Sequence, residues 1–364
     1  MQQKFDRKII LEDGTEYYGY GFGDEADRMV EIVFNTSMVG YQEILSDPSY
    51  TYQAVVMTYP LIGNYGMADE DYETLIPTIG GLVVREYNDE PSNFRSTKTL
   101  AQVMEKYHIP GVWGVDTRKL ARSIRDMGSR KAYITGADTP KEQGIELLQK
   151  TEFPRDAVSK VSCKKMWQSI APGAKYHVVA IDCGMKLNIV RSLNACGCSV
   201  TVVPWNTTAE QVEELKPDGI FISNGPGDPT DAVPVIEMVR RLRGRYPMFG
   251  ICLGHQIISL AYGAKTYKLK FGHRGGNHPV RNLLNGKIEI TSQNHSYAVD
   301  GDSLAGTPLA VTHVNILDGT VEGVECREDK IFSVQYHPES APGPQDSAYL
   351  FDRFLTLMEV EQDA

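Results

Sequence analysis

Short apolar runs alternate with helical patterns along the second half of the chain. The apolar runs are HVVAID (177–182), SVTVVP (199–204), DGIFIS (218–223) and PMFGI (247–251), and the segments KLNIVRSLNACG, TTAEQVEELK and VPVIEMVRRLRGR lie between them. Parallel strands need a crossover between them, which is usually a helix. The pattern therefore predicts βαβ units and a mainly parallel open sheet.

The pattern changes after Gly263. The runs KIEITS, PLAVTHV, TVEGVEC and IFSVQYH predict further strands, and SAYLFDRFLTLMEV predicts a closing amphipathic helix. These strands predict an antiparallel extension of the sheet. The segment FGHRGGNHP (271–279) is rich in glycine, and we interpret it as a loop.

The first half begins with a predicted hairpin, KIILEDGTEYYGYGF, in which Asp13 and Gly14 form the turn. The strands EIVFNTS, QAVVMTYP and GLVVRE follow, with helices near TKTLAQVMEKYH and DTRKLARSIRDMG. This order predicts a smaller α+β domain over 1–151. Two prolines and little periodicity predict a linker over 152–174, which leaves 175–364 for the α/β domain.

Charge and composition exclude several kinds of partner. The chain has 37 Lys and Arg against 47 Asp and Glu, so its net charge of −10 argues against nucleic acid and anionic membranes. No apolar run approaches the roughly 18 residues of a membrane span, and the first residues do not resemble a secretory signal. We expect a soluble, cytoplasmic protein. Six cysteines without zinc spacing indicate free thiols and no metal site.

The segment FGICLGHQ (249–256) carries the sharpest chemical signal. It matches the nucleophile elbow G-x-S-x-G, a tight strand-to-helix turn, with Cys252 in the serine position. Glycines are needed two residues on either side because backbones approach closely there. The following helix N-terminus favours the thiolate, which is the attacking form. Cys252 is therefore the predicted nucleophile.

His337 is the predicted base for this thiol. It follows the strand IFSV and precedes Pro338, which disfavours helix before it. In an extended segment residues i and i+2 project to one side, so Glu339 could orient the His337 ring. His255 lies on the elbow helix, where packing is its expected role. His273 and His278 have no zinc spacing, so we expect no metal there.

The loop SNGPGDP (223–229) follows the strand DGIFIS and lacks the spacing of phosphate-binding loops. Taken alone it is a turn. At the carboxyl end of a parallel strand it could also present backbone N–H groups to a developing oxyanion.

FISNGPGDP, FGICLGHQ and SVQYHPE, in this order, resemble the class I glutamine amidotransferase domain over roughly residues 175 to 360. The resemblance implies that Cys252 is the nucleophile, His337 the general base and acid, and Glu339 its orienting partner. It also implies further roles in oxyanion and glutamine binding. The oxyanion hole would comprise the backbone N–H groups of Leu253 and Gly225, and glutamine contacts would come from Gly227 and Gln256.

The first half is similar to the small subunits of carbamoyl-phosphate synthetases, through VEIVFNTSMVGYQEILSDPSY (30–50), TYPLIGNYG, SNFRS and GVDTRKLAR. KFGHRGGNHP and QNHSYAVD extend the resemblance over nearly the whole chain. It implies that Ser49, Asn294, Ser296 and Tyr297 contribute to glutamine binding. The family pattern has glycine at position 296, and serine can replace it unless that position requires a positive φ.

The resemblance also implies the reaction and the partner. The chain would hydrolyse L-glutamine and pass ammonia to a large subunit in a heterodimer, where bicarbonate and ATP yield carbamoyl phosphate. ATP and magnesium would bind the large subunit, with no cofactor in this chain. A glutaminase subunit of another amidotransferase, a free-standing γ-glutamyl hydrolase and a non-catalytic stabilising subunit are the alternatives. The resemblance is compatible with arginine and with pyrimidine biosynthesis, and with an assembly of one or of several heterodimers.

Overall fold

The computed structural model describes residues 4–362, and the side chains up to 359. The chain divides into two compact units, 1–154 and 155–364. The strands of the first unit are β1 (Arg7–Leu11), β2 (Glu16–Gly23), β3 (Arg28–Asn35), β4 (Gln53–Met57), β5 (Leu61–Ile62), β6 (Gly81–Val83), β7 (Glu86–Tyr87), β8 (Pro110–Trp113) and β9 (Arg130–Gly136). Its helices are α1 (Tyr41–Leu45), α2 (Leu100–Lys106), α3 (Thr117–Met127) and α4 (Lys141–Lys150).

Seven strands of the first unit close into a barrel in the order β1-β2-β8-β6-β4-β3-β9. The strands β3, β4, β6 and β8 are parallel neighbours, and the remaining pairs are antiparallel. The predicted hairpin joins β1 to β2, with Gly14 at φ 80° in its turn. The fold is thus a mixed barrel with helices packed on it, a closed form of the α+β domain predicted from the sequence.

The second unit contains β10 (Trp167–Ser169), β11 (Tyr176–Asp182), β12 (Cys198–Pro204), β13 (Gly219–Ile222), β14 (Met248–Ile251), β15 (Thr266–Asn282), β16 (Ile288–Val299), β17 (Ala310–Asn315), β18 (Val321–Cys326) and β19 (Ile331–Val334). Its helices are α5 (Ala157–Val161), α6 (Leu187–Ala195), α7 (Ala209–Glu214), α8 (Val233–Leu242), α9 (Leu253–Ala261) and α10 (Tyr349–Gln362). Helix α5 and strand β10 lie within 152–174, where the sequence predicts a linker.

The strands of the second unit form one sheet in the order β10-β12-β11-β13-β14-β19-β18-β16-β15-β17. Its five central strands, β12, β11, β13, β14 and β19, are parallel, and the predicted antiparallel extension follows β19. The α/β class with a mainly parallel core is therefore confirmed. Since parallel strands end at one edge, the segments after β11, β13, β14 and β19 meet there.

Both faces of the parallel core are buried. In β11, Val179 packs with residues of α8 and α9, whereas Val178 packs on the other face with residues of α6 and α10. A strand buried on both faces needs apolar residues at successive positions, which is why these strands read as continuous apolar runs. Within the described range, no helix is both long enough and apolar enough to cross a bilayer.

Two local predictions are wrong. The segment FGHRGGNHP is not a loop but part of the 17-residue strand β15, which pairs with β16 through two register shifts. Such bulges accommodate glycines within a strand. Pro338 and Glu339 are not extended either, because β19 ends at Val334 and the Ser340 N–H donates to the His337 carbonyl at 3.1 Å, closing a turn.

Candidate functional site

Cys252 occupies the sharp turn between β14 and α9. Its backbone is strained, with φ 54° and ψ −103°. The flanking glycines are required by space: a Cβ on Gly250 would lie 2.8 Å from the Gly254 carbonyl carbon, and one on Gly254 would lie 2.2 Å from the Ile222 oxygen. The structure therefore has the backbone form of a nucleophile elbow.

The Cys252 thiol is buried, with the residue 2% exposed. Its Sγ lies 3.6 Å from the Asn294 carbonyl oxygen. Leu253 is the first residue of α9, and N–H groups in a first helical turn have no partner within the helix. The thiol thus meets a positive helix end in a site that excludes water.

The structure brings Glu339 to His337. The Glu339 Oε1 lies 2.7 Å from the His337 Nδ1, and both side chains are almost fully buried. The predicted contact exists, although a turn with Pro338 at its second position makes it, rather than an extended segment. The other ring nitrogen, Nε2, is buried and makes no hydrogen bond within the described part of the chain. The Cys252 thiol is close enough to the ring to raise its pKa.

Electrostatics favour a charged His337 and a charged Glu339. Burial lowers the pKa of His337, but the Glu339 carboxylate and Cys252 raise it to about 10. Burial raises the pKa of Glu339, but Lys186 and His337 lower it to about 2. Each group thus keeps its charge because an opposite charge is adjacent.

Lys186 is a site residue that the sequence analysis missed. Its Nζ lies 3.0 Å from the Glu339 Oε1, and its side chain is 3% exposed. Asp182 at the end of β11 shapes the turn before Lys186 by accepting from the N–H groups of Gly184 and Met185 at 2.9 Å each. A lysine just after the carboxyl end of a parallel strand was the available signal. We call Cys252, His337, Glu339 and Lys186 the thiol cluster.

The loop after β13 packs against the elbow. A Cβ on Gly225 would lie 2.1 Å from the Cys183 carbonyl oxygen and 2.9 Å from the Leu253 side chain, so this position requires glycine. Gly227 adopts φ 90°, a conformation that also favours glycine. The structure therefore places Gly225 beside Leu253, the two residues predicted to supply oxyanion donors.

Gln256 and Tyr297 are also brought together. The Gln256 Nε2 donates to the Tyr297 carbonyl at 2.8 Å and to the Gln335 Oε1 at 2.9 Å. Since the Asn294 carbonyl contacts Cys252, strand β16 runs past the thiol, and its residues 294–297 lie next to helix α9.

Ser296 fits its position without strain. It lies in β16 and its φ is outside the left-handed region, so this position does not require glycine. Its hydroxyl accepts a hydrogen bond from the Arg274 guanidinium, which also donates to the Phe271 carbonyl at 2.7 Å.

Two other residues named from the sequence have well-defined local surroundings. Ser49 belongs to the first unit, in the short 3-10 turn Pro48–Tyr50, and its N–H donates to the Asp47 carboxylate at 2.9 Å. His255 is fully buried on α9, 2.9 Å from the Ser333 hydroxyl, and burial lowers its pKa to about 3. That placement agrees with a packing role for His255.

Comparison with protein families identifies the class of each part. Residues 179–357 match the model of the family "Glutamine amidotransferase class-I". Residues 9–134 match "Carbamoyl-phosphate synthase small chain, CPSase domain". The second unit is thus a class I glutamine amidotransferase domain, as its elbow and sheet indicate.

Similar proteins cover the whole chain. A "Carbamoyl phosphate synthase small chain" from Staphylococcus haemolyticus is 53% identical over 353 residues, which is 97% of this chain and 96% of that protein. One from Fusobacterium nucleatum is 52% identical, covering 96% of this chain and 98% of that protein. A "Carbamoyl phosphate synthase pyrimidine-specific small chain" from Bacillus subtilis is 50% identical, covering 98% and 97%. The chain belongs to the carbamoyl-phosphate synthase small-chain family.

Proposed function

We propose that this chain is the glutamine-hydrolysing subunit of a carbamoyl-phosphate synthase. It hydrolyses L-glutamine to glutamate and ammonia through a thioester on Cys252. The observation that carries the proposal is the buried contact between Glu339 and His337 beside an elbow cysteine, in a chain of this family. No other arrangement of the described residues in this domain combines a strained thiol with an oriented imidazole.

The first step is acyl transfer from an amide. The Cys252 thiolate attacks the side-chain carbonyl carbon of glutamine, and the carbonyl electron pair moves to oxygen. As the tetrahedral intermediate collapses, the C–N bond breaks and His337 gives its proton to the departing ammonia. The raised pKa of His337 provides a protonated imidazole for this transfer.

The second step releases glutamate. Neutral His337 takes a proton from water, and the resulting hydroxide attacks the γ-glutamyl thioester. The C–S bond breaks to restore the thiolate, and the new γ-carboxylic acid gives its proton to solvent as glutamate leaves. Glu339 holds the ring through Nδ1 so that Nε2 faces the thiol, and it stabilises the imidazolium. Lys186 holds Glu339 in turn.

Charge balance explains why the protein can bury these groups. With Cys252 as thiolate, the four members of the thiol cluster alternate in sign and sum to zero. Isolated buried charges are costly, whereas paired ones with good geometry are tolerated. In that state the cluster holds no unpaired charge.

The oxyanion would bind between Leu253 and Gly225. The Leu253 N–H belongs to the helix N-terminus, and the glycine at 225 lets the loop backbone approach the elbow. Donors fixed before reaction stabilise developing negative charge most effectively. Gly227, Gln256, Asn294, Ser296, Tyr297 and Ser49 are the proposed glutamine contacts.

The ammonia passes to a large subunit, which binds ATP and magnesium and makes carbamoyl phosphate from bicarbonate. Channelled transfer fits this chemistry because free ammonia would escape into water before reacting. The alternative of a non-catalytic stabilising subunit is disfavoured by the complete set of Cys252, His337 and Glu339. The family resemblance supports a heterodimer in the cytoplasm, without nucleic acid or membrane.

The test is an assay of the complex reconstituted with a large subunit. We expect glutamate release from glutamine and carbamoyl phosphate formation from either glutamine or ammonia. Glutamate release that fails while ammonia still supports synthesis would refute the glutaminase role and favour the stabilising subunit.

A further inference from the structure

Three buried residues that carry potential metal-ligand atoms meet where β15, β16 and β18 adjoin, in a cluster that the proposed mechanism does not use. They are His273 in β15, His295 in β16 and Glu322 in β18, and one ligand atom of each lies within 4.8 Å of those of the other two. Strand pairing causes the meeting, because His273 and His295 are direct partners in the register of β15 and β16. We call these three residues the histidine cluster.

His273 has the surroundings of a metal ligand. Its Nε2 lies 2.8 Å from the Asp318 carboxylate, while its Nδ1 is buried without a hydrogen-bond partner. The nearest carboxylate oxygen to Nδ1 is the Glu322 Oε1 at 3.6 Å, which is beyond hydrogen-bond length. A carboxylate on one ring nitrogen is typical of metal-bound histidines, in which the metal takes the place of a proton on the other nitrogen.

His295 is arranged like His273, with one ring nitrogen at an acceptor and the other facing the cluster, but the two nitrogens exchange places. Its Nδ1 lies 2.8 Å from the Tyr297 carbonyl, which can only accept, so Nδ1 carries the proton. Nε2 then keeps its lone pair and faces the Gln293 Oε1 at 3.0 Å, which is another acceptor. Turning the Gln293 amide would replace its hydrogen bond to the Thr291 hydroxyl at 3.2 Å by a contact between two acceptors, because that hydroxyl donates to the His278 carbonyl at 2.9 Å. A cation beside Nε2 would remove the repulsion between these two acceptors.

Glu322 supplies the charge. Its side chain is fully buried, the Oε1 accepts from the Asn315 amide at 3.2 Å, and the Oε2 has no hydrogen-bond partner. An unpaired oxygen of a buried carboxylate costs free energy unless a cation or donor meets it.

We propose that His273, His295 and Glu322 bind one divalent transition-metal ion, with Zn²⁺ the best match. Two imidazoles and a carboxylate are ligands that suit Zn²⁺, and three protein ligands leave a fourth position for water. His278 is the neighbouring candidate for that position, since its Nδ1 is buried without a partner and its ring centroid lies 5.4 Å from that of His273.

The ion would join three strands of the antiparallel extension. His295 lies between Asn294 and Ser296, so the metal would fix the part of β16 that passes Cys252. The metal site itself does not depend on the proposed glutaminase function.

The first experiment measures binding to the untagged full chain. After chelator treatment and dialysis, the protein is titrated with Zn²⁺ and its metal content determined, and a parallel sample receives Co²⁺. We expect one equivalent of Zn²⁺, and visible Co²⁺ absorption of four-coordinate strength without a sulfur-to-metal charge-transfer band. A stoichiometry of zero, or a charge-transfer band showing that the ion sits on Cys252 or another thiol, would overturn the proposal.

The second experiment uses two matched variants on β18, Glu322→Gln and Glu325→Gln. Glu325 contacts Arg327 and Arg353, so it has partners of its own and serves as the control. We expect Glu322→Gln to lower the affinity for Zn²⁺ at least about tenfold, because a ligand is lost. Glu325→Gln should leave this affinity unchanged. Equal affinity in both variants would show that the ion binds elsewhere and would refute the assignment.

A proton is the competing occupant. Burial lowers the pKa of His273, but Asp318 and Glu322 raise it to about 9, so a metal-free protein can protonate Nδ1 instead. Histidine NMR distinguishes the two: added Zn²⁺ should shift the His273 and His295 ring signals together. Ring signals that stay unchanged at saturating Zn²⁺ would show that the proton alone occupies the cluster.

Discussion

The thiol cluster and the histidine cluster are both sets of buried ionisable groups in the second unit, but they satisfy their charges differently. In the thiol cluster, Glu339 contacts Lys186 at 3.0 Å and His337 at 2.7 Å, so each charge faces its opposite. In the histidine cluster, the His273 Nδ1 and the Glu322 Oε2 make no hydrogen bond. A set whose charges contact one another closely is ready for proton transfer, whereas a set in which a ring nitrogen and a carboxylate oxygen make no hydrogen bond can hold a cation between them, either a proton or the proposed metal ion.

The largest effect should come from removing the thiol. We expect Cys252→Ser to lower glutamate release by at least about three orders of magnitude, because the serine hydroxyl is not ionised by this environment. Ammonia-dependent synthesis by the complex should persist. Cys196→Ser, at the end of α6, is the control and should retain glutaminase activity. Glutamine-dependent synthesis in Cys252→Ser would show that another residue is the nucleophile.

Breaking the balance of the thiol cluster should cost stability as well as activity. In Lys186→Met the Glu339 carboxylate loses its buried cation, so we expect the free energy of unfolding to fall by about 3 kcal/mol. Chemical denaturation of the variant and of Lys175→Met, an exposed lysine, would measure it. An equal, small change in both variants would mean that Lys186 does not balance Glu339.

Glu339→Gln should lower the pKa of His337 from about 10, since the neutral amide no longer offsets burial. A raised pKa in the folded state adds stability that is complete below the unfolded value near 6.5 and is lost as pH rises through about 10. The wild type should therefore lose unfolding free energy between pH 7 and 10 that Glu339→Gln does not lose. Histidine NMR titration, with Glu328→Gln as an exposed control, measures the pKa directly; an unshifted His337 would contradict the pairing.

The smallest effect should come from Ser296→Gly. The backbone there is compatible with both residues, so the loss is the hydrogen bond from Arg274 and about 1 kcal/mol of strand stability. We expect a modest rise in KM for glutamine with little change in kcat. A large fall in kcat would mean that the Ser296 hydroxyl takes part in the chemistry.

Local signals predicted the elbow geometry at Cys252 and the contact between His337 and Glu339. The glycines around Cys252 are dictated by contacts within a few residues and the next strand, and His337 and Glu339 are only two residues apart. The reason given for their contact was wrong, however, because Pro338 makes a turn. Lys186 was missed because its partner Glu339 is distant in sequence, and no residue near Lys186 indicates that the two side chains form a pair.

The sequence by itself determined the class of fold, the elbow at Cys252 and the family, because apolar periodicity and short motifs encode local geometry. Only the tertiary structure decided which buried ionisable groups lie next to one another. The glycines of FGHRGGNHP suggested a loop, yet pairing with β16 makes it a strand and sets His273 opposite His295. Strand register is a long-range property, fixed by which faces are buried across the sheet, so no spacing along the chain could show that these two histidines meet Glu322.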